Sequence, residues 1–235
     1  MKKLLLILLC FPMIGFGQGF KLDEVGLVFG PSINISKHPI IELIPCERDG
    51  LIENLSHSEG LSLRYYITPL LSMSTQFLYK VNRNRFNQTI TFTNIVGEVI
   101  GTEEAYHISK QKYLNVPLLA EINFKNKKIN MSIKFGGYIE YLIASSEEVD
   151  GLYSMTTSTL SEMIYQEDFY KKWDFGFMLG SGISYAFKYN VDLSFDILAN
   201  TGIIDSSTIV LHPSDDKYYN KSITGLFGIS YKLKQ

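Results

Sequence analysis

Eight segments of this chain alternate apolar and polar residues, and none of them holds an apolar run long enough for a helix that crosses a membrane. Period two puts successive side chains on opposite faces of an extended strand. The clearest segment has Ile129, Met131, Ile133, Phe135, Ile139, Tyr141 and Ile143 on one face. Its other face carries Asn130, Ser132, Lys134, Gly136, Tyr138 and Glu140. This stretch exceeds the roughly 9–11 residues that a tilted strand needs to span a bilayer. In lipid, such a strand satisfies its backbone only inside a closed barrel.

The other seven segments repeat the pattern. Their apolar faces begin with Val25, Leu27, Phe29, Ile33 and Ile35, then Leu61, Leu63, Tyr65 and Ile67, then Leu71, Met73, Phe77, Tyr79 and Val81. Leu114 to Phe124, Trp173 to Phe187, Val191 to Ala199 and Ile223 to Leu233 follow. Three connections are short: Thr68-Pro69-Leu70, Lys125-Asn126-Lys127-Lys128 and Lys188-Tyr189-Asn190. The four that alternate with them are long. An even strand number with short and long connections in turn predicts an all-β fold, an eight-stranded antiparallel up-and-down transmembrane β-barrel. It has short periplasmic turns, four long external loops and both termini in the periplasm.

Alternation by itself fits a secreted lipocalin-like barrel carrying an apolar ligand equally well, with the faces reversed. The composition of the polar face separates the two. A water-facing surface is dense in Lys and Glu, whereas this face is mostly Gly, Ser, Asn and Thr. Its charges are isolated and balanced: Arg64, Lys80, Lys134, Lys188 and Lys232 against Glu121, Glu140, Asp174, Asp192 and Asp196. Such a set suits a narrow lumen in which buried charges pair. Aromatics give a second indication, because they gather at membrane interfaces. Tyr79, Tyr113, Tyr141 and Trp173 fall at external strand ends, and Phe124, Tyr185, Phe187 and Tyr231 at periplasmic ends.

The first 17 residues have Lys2 and Lys3, an apolar stretch from Leu4 to Cys10, and Gly15-Phe16-Gly17, the pattern of a secretory signal peptide. Residues 18–235 then form one barrel domain. Without Lys2 and Lys3 the chain keeps 20 basic against 24 acidic residues, which argues against nucleic acid as a partner. Cys10 is an apolar filler of the signal. Cys46 is left as the lone mature cysteine, so an internal disulfide is excluded and a thiolate metal site disfavoured.

The segments Tyr113-Leu114-Asn115-Val116-Pro117-Leu118-Leu119 and Lys134-Phe135-Gly136-Gly137-Tyr138 come in that order. They are followed by Asp174-Phe175-Gly176-Phe177-Met178-Leu179-Gly180-Ser181-Gly182-Ile183-Ser184-Tyr185 and a closing Gly228-Ile229-Ser230-Tyr231-Lys232-Leu233. This order resembles the PorT-like family of outer-membrane β-barrel proteins over most of the mature chain. The resemblance implies an outer-membrane barrel and carries no chemistry. The chain departs from the usual ending of such barrels by lacking a terminal aromatic.

Candidate chemistry is sparse. His38, His57, His107 and His212 all fall in the expected external loops or at their edges, and no two share one element at metal-ligand spacing. His107 and Ser109 are weak catalytic candidates. Two residues apart, they share a strand face on which a histidine could activate the serine, the arrangement a lipid A-modifying outer-membrane enzyme would use. The five carboxylates could supply an acid and a base but are better explained as lumen charges. No cofactor or metal is expected; Glu147, Glu148, Asp150, Asp168, Asp215 and Asp216 make the loops acidic without calcium-ligand spacing.

Thr89, Thr91 and Thr93 alternate with Ile90 and Phe92, which extends the third and fourth strands outward as a hairpin. Thr159-Leu160-Ser161-Glu162 matches a capping box and predicts a short helix over 159–169. The expectation is a monomeric, non-enzymatic barrel with a filled lumen and a structural or surface-interaction role. Its partners are outer-membrane lipid and a protein or surface met through the external loops.

Overall fold

In a computed structural model, residues 22–35, 46–48, 55–93, 96–97, 99–126, 128–150, 171–204 and 219–233 are described. They form nine strands: β1 (Glu24–Asn34), β2 (Cys46–Arg48), β3 (Leu55–Tyr66), β4 (Leu71–Thr93), β5 (Val99–Asn126), β6 (Ile129–Asp150), β7 (Trp173–Ala186), β8 (Val191–Gly202) and β9 (Lys221–Lys232). Every pairing is antiparallel. Eight of these strands close a barrel, because β1 pairs with β9 while β4 pairs with both β3 and β5. The exception is β2, which adds to the outer part of β4 by pairing Cys46–Arg48 with Phe86–Gln88.

Three tight turns sit at the end that carries the described termini. In one, Val191 N donates to Lys188 O across Tyr189 and Asn190, whose φ angles are 61° and 62°. Two positive φ values give the turn a twist that matches that of the strands it joins. At another, Thr68 Oγ1 accepts from the amides of Leu70 and Leu71, which tightens the chain around Pro69.

The apolar faces point outward along every barrel strand. Leu27 and Phe177 are each 63% exposed and Leu179 is 62%, whereas Lys134 is 1% and Glu140 0% exposed. A surface of this kind is stable in hydrocarbon and not in water, which removes the lipocalin-like alternative.

Four details differ from the sequence reading. Beyond the expected hairpin, two strands run farther out, β3 from Leu55 and β6 to Asp150, so the long connections beside them are shorter than the pattern implies. His57 lies on an outward strand position opposite Val81 and not in a loop. Tyr113 points inward and is 6% exposed, so it leaves the upper aromatic set; its neighbourhood holds a register shift between Lys112 and Tyr113. Lys188 is exposed in its turn and contributes nothing to the lumen. The Thr89–Thr93 extension forms as expected, continuing the β4–β5 ladder to the Thr93–Val99 pair. The segments holding the signal peptide, the helix over 159–169, His38 and His212 lie outside the described residues.

Candidate functional site: the barrel lumen and its outer end

The lumen is filled in layers. Nearest the turns, a cavity of about 610 Å3 opens between Asp23, Tyr66, Asn130, Asp192 and Lys232. Lys232 Nζ pairs there with Asp192. Above it, Arg64 bridges Glu24 (3.2 Å) and Glu121 (3.0 Å), and Lys134 bridges Glu121 (3.2 Å) and Asp196 (2.7 Å). Glu121 also accepts from Ser72 and Ser74, and Glu24 from Ser230. The chain Glu24–Arg64–Glu121–Lys134–Asp196 thus ties together β1, β3, β5, β6 and β8. A cavity of about 20 Å3 beside Arg64, Lys134 and Asp196 has room for about one water.

Next comes an apolar septum: Val28, Leu78, Leu119, Tyr138, Met178, Leu198 and Leu226 form one buried cluster across the barrel. Glycines on neighbouring strands make room for it. A methyl on Gly136 would lie 2.0 Å from Leu118 O and 3.0 Å from Leu119 Cα, and one on Gly60 would lie 1.9 Å from Phe77 O. Gly180 stands likewise beside Leu198, and Gly176 beside Tyr138.

Outward of the septum is a second charged layer. Lys80 Nζ binds Glu140 (3.1 Å) and Ser222 Oγ (3.0 Å), and Glu140 also accepts from Asn115 and from Asn220 (2.7 Å). Asp174 faces Glu140 in register and accepts from Tyr138 Oη at 3.2 Å. The expected charge pairing therefore holds for Arg64, Lys80, Lys134 and Lys232. Glu24 is a partner that the alternation left out, because it lies at the extreme start of β1.

The outermost layer is neutral. Ser58, Asn82, Ser109 and Gln111 are all at most 3% exposed. Ser58 Oγ, both polar atoms of the Asn82 amide, Ser109 Oγ and Gln111 Nε2 have no hydrogen-bond partner among the described residues. Ser109 is thus a lumen residue, opposite Asn84 and Glu147 in register, and His107 stands two positions outward on β5, opposite Phe86 and Val149. Among the described residues no group of three His, Cys, Asp or Glu side chains is placed to hold a metal ion.

Outside the barrel, one cross-strand rung joins Tyr79, Leu114, Tyr141 and Trp173. The Tyr141 and Trp173 rings lie 4.7 Å apart, with Phe175 stacked 6.4 Å beyond. Phe124, Tyr185, Phe187 and Tyr231 are outward and exposed at the turn end. Two aromatic girdles with an apolar wall between them are what a transmembrane barrel presents to the two interfaces.

A model of the outer membrane protein beta-barrel domain family matches residues 54–207. The chain belongs to that family. No curated protein matches the chain significantly. Solved structures similar to this outer-membrane barrel include OprG from Pseudomonas aeruginosa, at 10% identity and TM-score 0.48, covering 93% of this chain and 99% of OprG. Neisserial surface protein A is similar at 14% identity and TM-score 0.45, covering 92% and 100%. The outer membrane protease OmpT from Escherichia coli is similar at 9% identity and TM-score 0.40, covering 92% and 99%.

Proposed function

We propose that this protein is a PorT-like, non-enzymatic outer-membrane barrel whose filled lumen serves as an anchor and whose outward hairpin is the contact surface for a protein or other surface partner. The length of β4 and β5 carries this reading. From Tyr79 in the upper girdle, β4 continues to Thr93, roughly 45 Å along the strand at about 3.3 Å per residue. Membrane crossing needs none of that extension, and β2 widens it into a three-stranded face. Removal of residues 1–17 and a monomeric barrel of residues 18–235, without cofactor or metal, belong to the same proposal.

A catalytic role for His107 and Ser109 does not belong to it. Ser109 Oγ is buried in the lumen, while a lipid-modifying nucleophile must reach a lipid on the outer wall.

The test replaces residues 88–104 with a tight turn. The shortened barrel should keep its heat-dependent shift in detergent gels yet lose the surface cross-links that wild type forms from cysteines placed in the hairpin stem. Cross-links that persist would refute the hairpin as contact surface. Lipid A profiles should be the same for wild type and Ser109→Ala, and an altered profile would reinstate the enzyme.

A further inference from the structure

Charges at the end that carries the short turns are sorted by sign. The acids described there are buried and already engaged: Glu24 with Arg64, Asp192 with Lys232, and Asp23 by accepting from Tyr66 N at 2.7 Å. Among the described residues the exposed charges at this end are all cations. Lys125 and Lys128 flank the turn between β5 and β6, Lys188 lies in that between β7 and β8, and none of the three has a counter-charge among the described residues. A rim of one sign attracts the opposite sign along the barrel axis.

Lys125 and Lys128 also line the cavity of about 610 Å3 at this mouth. Its volume falls within the roughly 300–1,000 Å3 of protein sites that enclose a ligand. Backbone bonds between neighbouring chain ends hold the mouth in shape: Ala186 N donates to Lys128 O at 2.7 Å, Lys232 N to Asn190 O at 2.8 Å and Leu233 N to Asp23 O at 2.8 Å. Ile67, Pro69 and Leu233 add apolar surface beside the cations. Asn130 Oδ1 and Asp192 Oδ1, on two of the lining residues, have no hydrogen-bond partner among the described residues.

This lining offers cations, apolar patches and acceptors that lack donors. A free inorganic anion uses only the cations. A phospholipid keeps its acyl chains against the outer wall of the barrel, so its headgroup reaches the rim and not the lumen. A peptide uses all three, through side-chain carboxylates, aliphatic side chains and main-chain N–H groups.

We propose that the turn end of the barrel docks an acidic segment of a periplasmic protein, with carboxylates on Lys125, Lys128 and Lys188 and an apolar side chain seated in the cavity. Short turns of such barrels face the periplasm. The site lies at the opposite end from the hairpin and is independent of any partner met there.

The full mature chain, folded in a neutral detergent, would be titrated at about 50 mM salt with a dye-labelled heptapeptide of alternating Glu and Leu and with its counterpart carrying Gln for Glu. Wild type should hold the acidic peptide at least about tenfold more tightly, the combined effect of three exposed ion pairs. K125Q/K128Q/K188Q should lose that margin. Ala186→Tyr, which fills the cavity and leaves every lysine in place, should weaken the acidic peptide by about tenfold through the lost apolar seat. The heat-dependent gel shift shows that each variant is folded. R83Q/K112Q, toward the outer end, is the control and should bind as wild type does. Equal affinity for the two peptides, or an unaltered triple variant, would overturn the proposal. Undiminished binding by Ala186→Tyr would overturn it too, by reducing the site to a diffuse field. Full displacement of the peptide by inorganic phosphate or a short-chain anionic phospholipid at the peptide's own concentration would do the same, by showing a site for anions at large.

Discussion

The two halves of the lumen are built from the same narrow barrel but satisfy their polar groups differently. On the turn side of the septum, Glu24, Arg64, Glu121, Lys134 and Asp196 form one continuous set of ion pairs. Toward the outer end, beyond the Lys80–Glu140 pair, Ser58, Asn82, Ser109 and Gln111 hold polar atoms with no protein partner among the described residues. The inner half is thus cross-linked by ion pairs, although Gln76 Oε1 and Asp192 Oδ1 also lack a hydrogen-bond partner among the described residues, while the outer half is lined by neutral side chains. Charges buried in a narrow lumen must pair. The ion-paired part carries stability, and the neutral end faces the exterior, where the hairpin stands.

Substitutions can break this contrast, and Lys134→Met should have the largest effect. It strips Asp196 of its ammonium and leaves Glu121 dependent on Arg64, for a loss of about 3–5 kcal/mol in urea unfolding from lipid vesicles. Adding Glu121→Gln and Asp196→Asn should recover much of it; no recovery would show that Lys134 acts through packing. Leu119→Ala, at the centre of the septum, should cost about 3 kcal/mol in the same assay through the cavity it leaves. Gly136→Ala tests the septum from the other side. Its methyl would sit 2.0 Å from a backbone oxygen, so a loss of about 2 kcal/mol is expected, and neutrality would mean that the strand pair opens freely. The smallest effect belongs to Ser109→Ala, which removes a hydroxyl that bonds to no described protein atom and should change stability by less than about 0.5 kcal/mol. A large loss there would place Ser109 in a network like that of the inner half.

Much of this was legible in the chain. The alternation from Ile129 to Ile143 determines a strand with a lipid face and a lumen face, and the short turns at Thr68, Lys125 and Lys188 set the barrel's order. Arg64, Lys80, Lys134 and Lys232 were recognisable as lumen cations because each interrupts a small-residue face. The septum was harder to see. Its members sit on the polar face and show only as apolar triplets inside an alternating strand, such as Leu27-Val28-Phe29, Phe77-Leu78-Tyr79, Phe177-Met178-Leu179 and Ile197-Leu198-Ala199. Each triplet is a local fault in period two; only the register, which brings these faults together in one buried cluster, makes them a structure. Tyr113 lies on the inward face that period two gives it, with Gln111 and Asn115 to either side and Leu114 outward; its aromatic ring suggests a girdle place that its parity denies. Lys188 was misassigned because a turn with two positive φ angles ends the strand before it.

Conductance tests the closed lumen most directly. Purified full-length mature protein, inserted into planar bilayers in molar potassium chloride, should show no steady current above that of the bare membrane. The Leu119→Ala/Leu226→Ala variant, which opens the septum, should be the form in which openings appear. A stable, reproducible conductance from the wild-type barrel would contradict the account, because ions would then be crossing both the paired network around Lys134 and the apolar cluster above it.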